Sequence, residues 1–199
     1  MRSLFFISFI TGLLFSQNNY PIILIHGFFG WGNNEMGNYR YWGGYNDIQK
    51  MYEENGFTVY NVSIGPISSN WDRAIEVYYQ LKGGQVDYGF EHSNQYNLIQ
   101  KPTDKKYDGL YPQWDENHPV HLIGHSMGGQ TARMLQFLLE TEVLEDDSLN
   151  IKEKSDLLGL ARKGWIASIT SLATPHDGST LADIVTKTFP FVQYFIGLA

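Results

Sequence analysis

Gly124-His125-Ser126-Met127-Gly128 is the stretch that decides the fold of this chain. It follows a mostly apolar run of strand length, residues 119–123, and precedes a helical pattern over residues 130–139. A Gly-x-Ser-x-Gly pattern at a strand-to-helix junction is typical of a nucleophile elbow, a sharp turn that presents the serine at the carboxyl end of a sheet. Side chains at the two glycine positions would block the close approach of strand and helix. We therefore predict that Ser126 is a nucleophile.

The helix predicted after this turn has one apolar face. Its apolar residues are three and four positions apart, as on a buried helical stripe: Ala132, Leu135, Leu138 and Leu139. The positive end of such a helix favours negative charge, so the N–H group of Met127 is a predicted donor to an acyl oxyanion. The alternative is a chance pattern in a chain with 20 glycines, and the strand and helix on either side argue against it.

Composition restricts the class of protein. The chain has 199 residues, 43% of them hydrophobic and 18% charged, which is typical of one globular domain. Its net charge of −7 argues against a nucleic-acid partner, because few basic groups are present to neutralise phosphates. The absence of cysteine excludes disulfides and thiolate metal sites.

The first 16 residues have the pattern of a secretory signal peptide. Arg2 precedes an apolar run over residues 4–15 that is too short to cross a bilayer, and Ser16 is a small residue before a polar stretch. We expect residues 1–16 to be removed, residues 17–199 to form the domain, and the protein to be secreted. A buried first helix is the alternative.

The remainder alternates apolar strands with helical segments. Strands are predicted over residues 20–25, 57–64, 85–90, 119–123 and 165–173, and helices over residues 46–55, 68–81 and 130–139, with a further helix from residue 181. In the first helix, Ile48, Met51 and Tyr52 are expected to point inward, and residues 91–117 to form a long polar loop. This order predicts an α/β fold with a mostly parallel sheet and helices on both faces.

Six motifs in order are the basis of a family resemblance. They are residues 25–28 (IHGF), 41–44 (YWGG), 65–73 (GPISSNWDR), 84–89 (GQVDYG), the elbow, and 173–178 (ATPHDG). From about Tyr20 to about Thr180 the chain resembles the secreted lipases of the staphylococcal and thermophilic Bacillus and Geobacillus type. The resemblance implies the α/β-hydrolase fold, here apparently without its C-terminal strands.

The family comprises triacylglycerol lipases that act at oil–water interfaces through a serine nucleophile and an acyl-enzyme. By this resemblance the nucleophile is Ser126, and the oxyanion is held by the N–H groups of Phe28 and Met127. The family's lid starts after the motif at 173–178, so a lid is expected from about residue 179, with an apolar segment from residue 186. The alternative for that segment is an ordinary core helix. A lipid or ester at such an interface is the expected partner, with no stable protein partner indicated.

The catalytic acid and histidine of the family correspond to positions beyond residue 199. His176 is the only histidine after Ser126, but the matching histidine of the family is not the base. Two alternatives to a triacylglycerol lipase therefore stay open. One is a truncated, catalytically impaired lipid-binding fragment, and the other is an esterase, thioesterase or acyltransferase of the same fold.

No cofactor is required for this chemistry, although the resemblance makes structural zinc or calcium possible in a full-length parent. Among the family's zinc ligands, Asp72 and His92 match, whereas the third position falls near Leu98 and the fourth lies beyond residue 199. Two ligands do not close a zinc site, which takes four. The alternative is that Asp72 is a charge in the first turn of a helix and His92 a loop residue.

Overall fold

The computed structural model describes residues 18–143 and 155–180. The predicted signal peptide, the helix from residue 181 and all of the predicted lid beyond residue 180 lie outside these residues. No helix within the two described ranges is long and apolar enough to span a membrane.

The described residues form strands and helices in alternation. In chain order these are β1 (Ile22–Ile25), α1 (Ile48–Glu54), β2 (Val59–Asn61), α2 (Asn70–Lys82), β3 (Gly84–Gln85), α3 (Phe90–Tyr96), β4 (Lys106–Tyr107), β5 (Val120–His125), α4 (Met127–Glu140) and β6 (Ile166–Leu172). Strand β3 pairs with β4 in a small antiparallel ribbon. The other four strands form the main sheet.

The main sheet is parallel throughout and has the strand order β2-β1-β5-β6. Strand β1 is central, and its residues Ile23, Leu24 and Ile25 are buried. Its carboxyl end lies beside that of β5, where Ile25 pairs with Gly124. Segments that follow β1 and β5 therefore meet at one edge of the sheet.

Helices lie on both faces of this sheet. The connection through α1 moves the chain to one side of β1, and the connection through α2 moves it back to the other side. Because crossovers between parallel strands are right-handed in nearly all proteins, α1 lies on one face and α2 and α4 lie on the other. The extensive contact between α2 and α4 agrees with this arrangement.

The core lies mainly under α2 and α4. The four residues of the predicted apolar stripe on α4 are fully buried, which confirms the helix and its inward face. Helix α2 begins at its N-cap Ser69, whose hydroxyl accepts a hydrogen bond from the N–H group of Asp72. The predictions of strands over 20–25, 119–123 and 165–173 are confirmed by β1, β5 and β6.

Three predictions about these elements were wrong. On α1, Met51 and Tyr52 are 50% and 37% exposed instead of inward, because the helix packs mainly on the three-residue strand β2. The predicted strand over 85–90 is only the two-residue β3, and the predicted loop over 91–117 contains β4 and most of α3. Helix α3 has seven residues and a glycine N-cap without a side-chain hydrogen bond, so it leaves neither a capping signal nor a full apolar period in the sequence.

Candidate active site

Ser126 occupies the turn between β5 and α4. Its φ of 54° and ψ of −126° are a strained conformation for a residue with a side chain. The turn is held by the N–H group of Ser126, which donates to the carbonyl oxygen of Leu172 at the end of β6 over 2.8 Å. A Cβ atom at Gly124 would lie 2.4 Å from the backbone of Gly128, and one at Gly128 would lie 2.2 Å from the carbonyl oxygen of Ile25. Both glycines are therefore required by the close approach of strand and helix.

The loop after β1 lies directly against this serine. A Cβ atom at Gly27 would be 2.8 Å from the Cβ atom of Ser126 and 2.9 Å from the carbonyl oxygen of His125. Only a glycine fits this contact without a shift of the backbone. The backbone that leads into Phe28 is thus packed beside the candidate nucleophile.

The two predicted oxyanion donors are both available for a ligand. Within residues 18–143 and 155–180, neither the N–H group of Phe28 nor that of Met127 donates to a protein acceptor. Met127 is the first residue of α4, where N–H groups have no partner within the helix and the helix dipole favours negative charge. The arrangement can bind an oxygen anion that forms beside Ser126.

The loop that contains Phe28 wraps around the buried imidazole of His26. Nδ1 of His26 lies 2.9 Å from the carbonyl oxygen of Gly27. Nε2 lies 3.1 Å from the carbonyl oxygen of Ile64 and 3.3 Å from its N–H group. A Cβ atom at Gly30 would lie 2.3 Å from the ring. Burial lowers the pKa of His26, and the nearby Arg73 charge acts in the same direction, so the imidazole is neutral at pH 7.

Tyr41 is a site residue for which the sequence pattern predicted no role. Its hydroxyl accepts a hydrogen bond from the N–H group of Gly27 at 2.9 Å and lies 2.6 Å from Nδ1 of His125. Burial raises the pKa of Tyr41, so the hydroxyl keeps its proton for His125. The only signal in the sequence was the motif at residues 41–44, which indicated a family and not a contact.

Within residues 18–143 and 155–180, no histidine is placed as a general base for Ser126. All six histidines of the chain lie in the described residues, and none of them hydrogen-bonds to the hydroxyl of Ser126. His176 uses both ring nitrogens elsewhere, with Nε2 at 3.0 Å from the hydroxyl of Ser171 and Nδ1 at 3.2 Å from Arg133. His125, next to the serine in sequence, faces Tyr41.

The two predicted metal ligands are brought together. Nε2 of His92 lies 2.8 Å from a carboxylate oxygen of Asp72, and the ring stacks on Trp71 with centroids 5.0 Å apart. The other carboxylate oxygen of Asp72 accepts from the hydroxyl of Ser69. The described residues contain no group of three or more His, Cys, Asp or Glu side chains that could hold a metal ion. The described residues therefore supply two of the four ligands that a closed zinc site takes.

Comparison with known proteins gives close matches. The family model described as "Lipase-like, C-terminal domain" matches residues 18–195. A protein named Lipase from Staphylococcus epidermidis is 42% identical over 175 residues, which cover 85% of this chain. Lipase 1 from Staphylococcus aureus is 41% identical over 174 residues. The chain spans only 25% of the length of each of these relatives.

Solved structures agree with the sequence matches. Lipase 1 from Pelosinus fermentans has a TM-score of 0.79 and 45% identity over 85% of this chain, and Staphylococcus hyicus lipase has a TM-score of 0.78 and 36% identity over 89%. A structure named EstA from Clostridium botulinum has a TM-score of 0.80 and 40% identity over 91%. This chain covers 42% to 47% of those three chains. The α/β-hydrolase fold predicted from the motifs is thereby confirmed.

Proposed function

We propose that this chain contains the nucleophile and the oxyanion donors of a serine lipase, because it belongs to the lipase-like C-terminal domain family. One observation carries the proposal. The strained turn at Ser126 and the Gly27-Phe28 backbone are in contact, and beside them the N–H groups of Phe28 and Met127 have no acceptor among the described residues.

The chemistry proposed for these groups is acyl transfer to the serine and then to water. The hydroxyl oxygen of Ser126 attacks the ester carbonyl carbon while its proton passes to a base, and the carbonyl oxygen becomes an anion. The N–H groups of Phe28 and Met127 donate to that anion. Return of the electron pair expels the alcohol, which takes up the proton, and water then hydrolyses the acyl-enzyme by the same steps.

The base in this proposal comes from outside these 199 residues. Each of the six histidines has other partners, and the relatives extend well beyond the part that this chain matches. An impaired lipid-binding fragment is the second candidate function. The observation that favours it is that no histidine in the described part of the chain bonds to Ser126.

The proposed substrate is the carboxylic ester of an acylglycerol at an oil–water interface. Beside the candidate nucleophile, the side chains of Phe28 and Phe29 are 46% and 67% exposed and contact one another edge to face. Aromatic side chains that remain exposed at a reactive serine suit an apolar acyl chain or a lipid surface. Export accords with such a substrate, and the mature protein is expected to begin near Gln17 when it is sequenced from the medium.

A matched pair of serine variants tests the proposal. The protein expressed from its complete gene is assayed on emulsified long-chain triacylglycerol and on a soluble short-chain ester. Ser126→Ala is compared with Ser168→Ala, because Ser168 lies on β6 and its hydroxyl bonds to His121. We expect Ser126→Ala to lose at least about 10³-fold in rate and Ser168→Ala to be unchanged.

Three results separate the alternatives. Turnover that survives Ser126→Ala would contradict the proposal. Equal rates on either side of the solubility limit of the substrate would indicate an esterase. A folded wild-type protein that binds triacylglycerol emulsions without turnover would be the impaired fragment.

A further inference from the structure

Arg73 is a buried charge at the centre of the structure that supports the site. It lies on α2 with no exposed surface. Its guanidinium donates three hydrogen bonds to three different parts of the chain. The acceptors are the carbonyl oxygen of His26, the carbonyl oxygen of Gly65 at 2.6 Å, and the hydroxyl of Thr131 at 3.0 Å.

Burial of a charge is costly unless hydrogen bonds compensate for the lost water. Burial lowers the pKa of Arg73 to about 10, while the Glu76 carboxylate opposes that shift, so the guanidinium is still charged at pH 7. Within the described residues Arg73 forms no ion pair within 4.0 Å, and its three bonds all go to neutral oxygens. The guanidinium is therefore placed to fix backbone and hydroxyl groups, not to neutralise a neighbouring carboxylate.

Two of the three acceptors lead to Phe28. His26 is two residues before it on the same loop, so the bond to the His26 carbonyl fixes the start of the turn. Gly65 precedes Pro66, whose carbonyl oxygen accepts a hydrogen bond from the N–H group of Phe29 at 2.9 Å. The loop around Phe28 is thus tied to Arg73 from both of its ends.

The third acceptor leads to Met127. The hydroxyl of Thr131 lies in the second turn of α4, 3.2 Å from the carbonyl oxygen of Met127 and 3.0 Å from the side-chain oxygen of Asn70. The Nε group of Arg73 donates to that same hydroxyl. One side chain therefore reaches the supports of both proposed oxyanion donors.

Glu76, one turn further along α2, binds the same residue, Gly65, that Arg73 binds. Its carboxylate accepts from the N–H group of Gly65 at 2.7 Å, while Arg73 binds the carbonyl oxygen of Gly65. Glu76 is itself paired with Lys105 at 2.6 Å and with the hydroxyl of Tyr88 at 2.7 Å. The N–H group and the carbonyl oxygen of Gly65 are thus both hydrogen-bonded to side chains of α2.

We propose that Arg73 is the positioning residue of the oxyanion hole, setting the spacing between the N–H groups of Phe28 and Met127. The assignment rests on the proposed function, since it presumes that these amides bind an oxyanion. A side chain without a guanidinium at position 73 leaves the His26 and Gly65 carbonyls unbonded. The loop that contains Phe28 then shifts toward other hydrogen-bond donors. Displacement of a catalytic group by about 1 Å costs on the order of 10²-fold in rate.

The test compares two buried residues of the same helix. Arg73→Met removes the three bonds, and Gln80→Met is the matched control. Gln80 is also buried on α2 and also makes two backbone bonds, but to Ser63 and not to the oxyanion loop. Arg73→Lys keeps the charge with a single donor group. Each variant is made in the protein expressed from its complete gene, and kcat, KM and the affinity for an alkyl boronic acid are measured.

We expect Arg73→Met to lower kcat and boronate affinity by about 10- to 100-fold with KM within about threefold, and Arg73→Lys to recover part of the loss. Gln80→Met should keep kcat within about threefold, even if its thermal stability falls as much as that of Arg73→Met. Losses that are equal in Arg73→Met and Gln80→Met would overturn the assignment, as would an unchanged kcat in Arg73→Met.

A second measurement tests the assignment without an assay of enzyme turnover. Phenylalanine is labelled with ¹⁵N, and the amide signals of Phe28 and Phe29 are followed by NMR. We expect shifted signals and faster hydrogen exchange in Arg73→Met but not in Gln80→Met, and identical spectra would overturn the assignment. If the wild type shows no turnover that depends on Ser126, the proposed function fails and this measurement decides on Arg73 alone. If Arg73→Met does not fold, two other variants replace it in the comparison with Gln80→Met. They are Arg73→Lys and Thr131→Val, the second of which removes one of the three bonds.

Discussion

The hydroxyl oxygen of Tyr41 lies 2.6 Å from Nδ1 of His125. The same hydroxyl accepts a hydrogen bond from the N–H group of Gly27, so its own proton is directed to Nδ1 of His125. His125 immediately precedes Ser126, and Gly27 immediately precedes Phe28. This single hydroxyl therefore joins the elbow to the oxyanion loop on the side opposite to Arg73.

Replacement of Tyr41 by Phe should weaken that junction. The N–H group of Gly27 and Nδ1 of His125 both lose their partner, which we expect to lower the free energy of unfolding by about 1–3 kcal/mol and kcat by about tenfold. Denaturant unfolding and kcat on a soluble ester measure the two effects. Tyr39→Phe is the control, because the hydroxyl of Tyr39 has no partner in the described part of the chain. Equal kcat values and equal free energies of unfolding in the two variants would show that the hydrogen bonds of Tyr41 contribute to neither activity nor stability.

Gly27→Ala should abolish activity in a folded protein. The added methyl group would lie 2.8 Å from the Cβ atom of Ser126, so either the serine or the oxyanion loop must move. We expect a loss of at least about 10²-fold in kcat, measured beside circular dichroism to verify folding. Gly56→Ala provides the comparison, since it has a φ of 87° and nothing within 4 Å. That variant should lose stability without losing rate, and an active Gly27→Ala protein would refute the contact.

The neutral state of His26 predicts a pH dependence of stability. Burial holds its pKa in the folded protein below the ordinary value of 6.5. As pH falls below 6.5 the unfolded chain takes up a proton that the folded chain does not, so the free energy of unfolding decreases and levels off below the folded pKa. Denaturant unfolding at pH 7.5, 6.5 and 5.5 measures this slope. His26→Gln should flatten it, and a slope unaffected by His26→Gln would contradict the prediction.

The elbow and three of the main strands could be predicted because their signals are local. Glycines at fixed positions, an apolar run before them and an apolar stripe after them are all contained in 21 residues between 119 and 139. Parallel strands in alternation with helices also predict that the ends of β1 and β5 meet at one edge. The position of Ser126 followed from these local patterns, whereas the role of the Gly27-Phe28 loop followed from the family resemblance.

The supports of the site could not be predicted in that way. Arg73 reaches His26 across 47 positions of sequence and Thr131 across 58, and Tyr41 reaches His125 across 84. Nothing in the local sequence distinguishes a buried arginine on an amphipathic helix from an exposed one. Short elements such as α3 were missed for a related reason, since seven residues without a capping side chain have almost no periodic signal.

The 199-residue chain, expressed alone, is expected to be inactive or nearly so despite its intact elbow. Serine is a weak nucleophile at neutral pH, and assistance by a general base contributes about 10²- to 10⁴-fold. Each histidine of the chain is engaged elsewhere, and His176 in particular bonds to Ser171 and Arg133. Groups of a triad act as a unit, so oxyanion donors alone leave only a small residual rate. Hydrolysis of a short nitrophenyl ester by residues 17–199 is compared with that of Ser126→Ala and His176→Ala. Rapid turnover abolished by both substitutions would refute this expectation and identify His176 as the base, whereas turnover lost only with Ser126→Ala would assign the base to another group.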